Sequence, residues 1–151
     1  MLYEIRFDDE VHAAGLYRIL GQRFGIAPAA IYVGRLEDRP ITADRPVVVV
    51  TPPEDDEGFG WILTGDAELA EQTQLTELEL AKILATGLGV RALVDDGTRH
   101  PDRWYLVARD GSYGRVITNE DSADEGDLRI QHALEPITGE PDIPITPEPQ
   151  W

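Results

Sequence analysis

Thr76-Glu77-Leu78-Glu79-Leu80-Ala81-Lys82-Ile83-Leu84, closed by Leu88-Gly89-Val90, is the stretch on which the fold turns. Thr76 and Glu79 stand three apart, so a hydroxyl and a carboxylate can each satisfy a backbone donor left unpaired at a helix start. The helix should stop at Gly87 or Gly89, because glycine accepts the left-handed conformation that ends helices. Strands read at 91–94, 104–108, 113–118 and 128–134, with Asp110-Gly111 supplying a hairpin turn. A helix followed by an antiparallel meander is the expected arrangement.

The same order is legible upstream. Residues 2–7 alternate, with Tyr3, Ile5 and Phe7 on one face and Glu4 and Arg6 on the other, as a half-buried strand requires. Asp8 or Asp9 is placed to cap a helix that runs to about Phe24, with Leu16, Ile19, Leu20 and Phe24 on one stripe and Gly25 as its stop. A short strand at 31–33 comes next. Val47-Val48-Val49-Val50 has no polar alternation and predicts a central strand covered on both faces. After Pro52-Pro53, residues 59–64 read as its hairpin partner.

Laid on each other, the two stretches match. Gly15-Leu16-Tyr17-Arg18-Ile19-Leu20 parallels Glu79-Leu80-Ala81-Lys82-Ile83-Leu84, and Phe59-Gly60-Trp61-Ile62-Leu63-Thr64-Gly65 parallels Tyr113-Gly114-Arg115-Val116-Ile117-Thr118-Asn119. The predicted class is therefore α+β, built from two similar α-β-β-β halves at about 1–75 and 76–135 within one globular domain over 1–135. From 136 to 151 the prolines at 136, 141, 144, 147 and 149 predict an acidic, extended tail that builds no core, with Trp151 at a frayed end.

Charge narrows the function. Thirteen basic residues against 29 acidic ones leave the 151-residue chain at −16, and Lys82 is the only lysine. A negative field of that size repels nucleic acid and anionic lipid and speeds encounter with basic proteins. The absence of cysteine excludes disulfides and thiolate chemistry and fits a reducing cytoplasm. The acidic Asp8-Asp9-Glu10 so near the start is the wrong charge for a signal peptide, and no apolar run is long enough to span a bilayer.

Catalytic sets are not evident. His12, His100 and His132 have no ligand spacing, and Ser112 and Ser122 sit in a turn and an acidic loop rather than a strand-to-helix elbow. Asp110-Gly111-Ser112-Tyr113-Gly114 lacks the following helix that a phosphate loop needs. With Asp121 as first ligand, an EF-hand would need oxygen donors where Ala123 and His132 stand. No cofactor, metal or enzymatic activity is expected.

Recognition is the remaining reading. Two acidic clusters stand out: Glu54, Asp55, Asp56 and Glu57 in the first hairpin loop, and Glu120, Asp121, Asp124, Glu125 and Asp127 before the last strand. Phe59 and Trp61 flank the first cluster and Tyr113 follows the corresponding turn, so these aromatics are candidate anchors rimmed by carboxylates. Core packing is the competing role for Trp61 and Trp104. The expected function is an immunity-type inhibitor that binds a basic toxin or enzyme. The alternatives are a small-ligand module or small enzyme with a pocket between the halves near Arg103, Tyr105 and His132, and a nucleic-acid mimic. A mimic needs carboxylates in long ordered rows, whereas the densest acids here lie in loops.

Overall fold

The computed structural model describes residues 2–39, 45–53, 58–98, 102–118 and 129–146. Within them lie β1 (Tyr3–Phe7), α1 (Ala13–Phe24), β2 (Ile31–Val33), β3 (Val48–Thr51), β4 (Trp61–Gly65), α2 (Ala67–Thr73), α3 (Glu77–Leu88), β5 (Ala92–Asp95), β6 (Arg103–Val107), β7 (Tyr113–Thr118) and β8 (Ile130–Ala133). The strands form one sheet in the order β2-β3-β4-β1-β5-β6-β7-β8. Only β2 and β3 run parallel; the other neighbours are antiparallel. The fold is mixed α+β, as expected.

One face of the sheet carries the helices. Tyr3, Ile5 and Phe7 meet Val48, Val50, Leu63, Ala92, Val94 and Val107, and this layer packs against Leu16, Ile19 and Leu20 of α1, Leu69 of α2, and Leu80, Ala81, Leu84 and Ala85 of α3. α1 and α3 approach closely at Gly87, where a Cβ would lie 2.5 Å from Ile19 Cδ1 and would displace that side chain. The Thr76–Glu79 capping box forms, and Gly25 and Gly89 both take left-handed conformations at helix ends.

Three expectations need correction. The N-cap position of α1 falls at His12, whose side chain makes no capping bond, and not at Asp8 or Asp9; the Asp8 carboxylate is engaged by Arg91. The valine run is not a central strand covered on both faces: β3 lies next to edge strand β2, with Val48 and Val50 buried and Val49 partly exposed. Beta-branched residues suit a one-sided strand as well as a buried one, so composition alone did not separate the two.

The third correction concerns residues 136–146, which do not leave the body as a tail. On the face opposite the helices, Ile137 joins Phe59, Leu93, Leu106, Ala108, Val116 and Ala133 in a second core, with Ile143 packed against it. The backbone is tied down as well: Ala133 N donates to Pro144 O and Thr146 N to Ala133 O, each at 2.8 Å. Proline has no N–H to donate, but its carbonyl still accepts, and isoleucines between the prolines supply the apolar contacts. The segment is a strap over β5–β8, so the body reaches past 135. Residues 147–151 lie outside the described residues.

Candidate functional site

Strand directions decide which loops meet. The end of β1, the start of β5, the β3–β4 connection and the β6–β7 turn all fall at one end of the sheet. There Asp8, one residue past β1, accepts from Arg91 N at 2.8 Å through Oδ1 and from Arg91 Nε at 2.7 Å through Oδ2. Arg109 donates to the same Oδ2 at 3.4 Å and, through Nε, to the Gly89 carbonyl at 3.1 Å, which satisfies the end of α3. The Arg91 guanidinium also lies 5.4 Å from the Phe59 ring centroid and 3.6 Å from Glu140 of the strap. Charge-assisted and cation–π contacts thus join β1, β5, the β3–β4 connection and the strap.

Two adjoining clefts open around this knot, sharing Asp8 and Gly58. One, of about 340 Å³, is walled by Asp8, Asp9, Glu10, Pro53, Gly58 and Trp61. Among the described residues its wall carries three carboxylates and one indole; Asp8 is already engaged by Arg91 and Arg109, which leaves Asp9 and Glu10 beside Trp61 as the carboxylates open to a guanidinium or ammonium group. The other, of about 450 Å³, mixes Asp8, Glu140 and Asp142 with Arg91 and Arg129 over Phe59, Ile130 and Ile143.

The residues expected to bind a partner are distributed as follows. Glu54, Asp55, Asp56 and Glu57 lie outside the described residues, but the chain departs at Pro53 and returns at Gly58, both in the wall of the acidic cleft. Glu120, Asp121, Asp124, Glu125 and Asp127 also lie outside them; the chain departs there from Thr118, at the opposite end of the sheet. Trp61 is partly exposed in the acidic cleft and packs against the main core. Phe59 is only 3% exposed, so it is a core residue and not a surface anchor.

Tyr113 is 44% exposed but stands apart. The register runs Trp61, Phe7, Ala92, Val107, Tyr113 across the sheet, which at one strand spacing per step separates the two aromatics by roughly 19 Å. Its neighbours are cationic: Lys82 lies 4.9 Å from its ring centroid, while Arg115 bonds the Tyr105 hydroxyl at 3.0 Å. Arg103 and Arg115 both reach within 3.7 Å of the buried Asp96 carboxylate. His132 faces Ile117, which faces Arg103, so the trio Arg103, Tyr105 and His132 shares one side of β6–β8.

Among the described residues, no group of three or more His, Cys, Asp or Glu is placed to hold a metal ion, and no helix is long and apolar enough to cross a membrane. Two carboxylates depart from their ordinary range. Burial raises the pKa of Glu77, helped by the nearby Asp95 and Glu4 charges, and hydrogen bonds from the Ser112 hydroxyl and amide lower that of Asp110. Both lie outside the two clefts.

Asp8, Asp9, Glu10, Arg91, Glu140 and Asp142 were not singled out as site residues from the sequence. The available signal was an acidic triplet directly after a strand, where a chain end of a sheet presents its side chains to solvent. Comparison with protein-family models, with curated proteins and with solved structures returns no match.

Proposed function

We propose that the protein binds and inhibits a basic protein, in the manner of an immunity protein that neutralises a basic toxin or enzyme within the cytoplasm. The observation that carries this reading is the acidic cleft: Asp8, Asp9 and Glu10 line it together with Trp61, and the segment bearing Glu54, Asp55, Asp56 and Glu57 leaves from its wall. Carboxylates in such a rim accelerate encounter with a cationic surface, and a partly buried indole supplies the contact that slows departure. The net charge of −16 extends the same attraction to long range. In this reading the protein has no catalytic role, and inhibition comes from covering the partner's working surface. The test is a titration of the purified partner: its activity falls to background at one equivalent of this protein. Binding without loss of activity would leave an adaptor in place of an inhibitor.

A second reading, small-ligand binding, is favoured by the larger cleft, whose walls carry both signs over an apolar floor. A thermal-shift screen of zwitterionic metabolites checks it, since a ligand bound only by the folded chain raises the melting temperature.

The internal duplication belongs to the same proposal. The strands of the two halves fall into consecutive blocks, β2-β3-β4-β1 and β5-β6-β7-β8, which supports it; the parallel β2–β3 pair against the antiparallel β5–β6 pair is the departure it has to absorb.

A further inference from the structure

The helix side of the sheet changes character at β6 and β7. Val107 still belongs to the main core, but Tyr105 and Arg103 follow it on the same side of β6, and Tyr113 and Arg115 stand opposite on β7. Lys82 of α3 borders them. In a chain of net charge −16, Lys82, Arg103 and Arg115 thus gather around one carboxylate, Asp96, whose side chain is wholly buried. Glu79, a turn before Lys82 on α3, is directed to the helix start, where it bonds Thr76.

Asp96 aims the arginines. Its Oδ1 accepts from the Thr98 amide and hydroxyl at 2.9 and 2.6 Å, and its Oδ2 lies 3.7 Å from both Arg103 Nε and Arg115 Nε. A buried carboxylate needs cationic neighbours, so both Nε edges are drawn inward. Arg115 Nε is buried while the side chain as a whole is 43% exposed, which turns the remainder outward. One terminal nitrogen of Arg115 donates to the Tyr105 hydroxyl at 3.0 Å, and a hydroxyl that accepts in this way keeps its own proton to give. The Tyr105 and Tyr113 rings meet edge to face at 5.8 Å, and Lys82 Nζ lies 4.9 Å from the exposed Tyr113 ring, a cation met there by a ring and not by a carboxylate.

We propose that this patch binds an oxyanion, a phosphate or carboxylate group, carried on a small aromatic or apolar body. Guanidinium forks match the oxygens of either group, the Tyr105 hydroxyl adds a donor, and the Tyr113 ring takes the apolar part. The negative field of the whole chain opposes a polyanion, so the ligand is small. The site is independent of the inhibitor reading, since Tyr113 stands four register steps across the sheet from Trp61 of the acidic cleft.

The test is an NMR titration of the isotope-labelled full chain at low salt with phenyl phosphate, benzoate and benzyl alcohol. The expected result is saturable shifts of the Tyr105, Tyr113 and Arg115 amides with at least one anion and none with the neutral alcohol; the tighter anion tells a phosphate site from a carboxylate site. R115Q should weaken that binding at least about tenfold. K82Q, which leaves Asp96 and its arginines intact, should weaken it about threefold, the worth of one charge near the surface. Saturation by neither anion, shifts confined to other parts of the chain, an equal response to the alcohol, or unchanged binding in both variants would overturn the site.

Discussion

The Glu77 carboxylate accepts a hydrogen bond from the Glu4 amide at 2.8 Å, at a point where β1 and β5 no longer pair. The two strands are matched only at Arg6–Leu93 and Phe7–Ala92, and beyond these pairs the Glu4 amide is bonded by the Glu77 side chain from the first turn of α3. Tyr3 fastens the same helix start by donating its hydroxyl to the Leu75 carbonyl. A carboxylate in the first helical turn also complements the positive end of the helix. The joint between the two halves of the sheet is therefore part ladder and part side chain.

This joint has a pH signature. Burial comes first among the causes that raise the Glu77 pKa, followed by the charges of Asp95 and Glu4, while amides of Glu4 and Asp95 oppose the shift. A carboxyl whose pKa is higher folded than unfolded stabilises the fold fully below its unfolded value, and that contribution is lost as pH rises through the folded value. E77Q, which cannot ionise, should gain stability relative to the wild type at neutral pH, and the gain should vanish below about pH 4.5, the ordinary value for this group. Urea unfolding of both proteins from neutral to acid pH measures the difference. A constant offset would show that Glu77 does not change ionisation with folding.

Thr76 holds the same helix start from the other side, its hydroxyl accepting from Glu79 N while Glu79 reaches back to Thr76 N. T76A should cost about 1 kcal/mol, the usual worth of such a cap. Chemical denaturation with an unchanged slope would place the loss in the native state.

Ile137 tests the strap. Its side chain is 5% exposed within the second core, so I137A should destabilise by about 2–4 kcal/mol through lost burial and a residual cavity. Removing residues 136–151 should expose Leu106 and Val116, both fully buried in the intact protein, and raise dye binding to apolar surface. A truncated chain as stable as the full one would mean that the strap adds nothing to the core.

The carboxylates of the segment between Pro53 and Gly58 should govern rate. Reversing Asp55 and Asp56 together to lysine should slow association with the partner and flatten its dependence on salt, with a smaller effect on dissociation. Stopped-flow association at several ionic strengths reads both. Unchanged kinetics would remove that segment from recognition.

Much of the fold was legible because local chemistry decides it. The Thr76–Glu79 spacing, Gly25 and Gly89 at helix ends, and the alternation of Tyr3, Ile5 and Phe7 each announce a backbone state through neighbours within a turn. Strand order is different, since alternation tells which face is buried and not which strand lies alongside. That is why β1 between β4 and β5, and the parallel β2–β3 pair, did not follow from the pattern. The candidate site was less legible still. The role of Asp8 depends on Arg91, 83 residues away, and the burial of Phe59 depends on a strap whose prolines suggested an extended tail.

The most direct measurement is affinity capture of the tagged protein from lysate and culture of its own source, washed at low and then moderate salt, with bound proteins identified by mass spectrometry. The account predicts one basic protein in stoichiometric amount that survives the second wash. Recovery of only salt-labile mixtures would contradict it, and would assign the acidity of the chain to solubility alone.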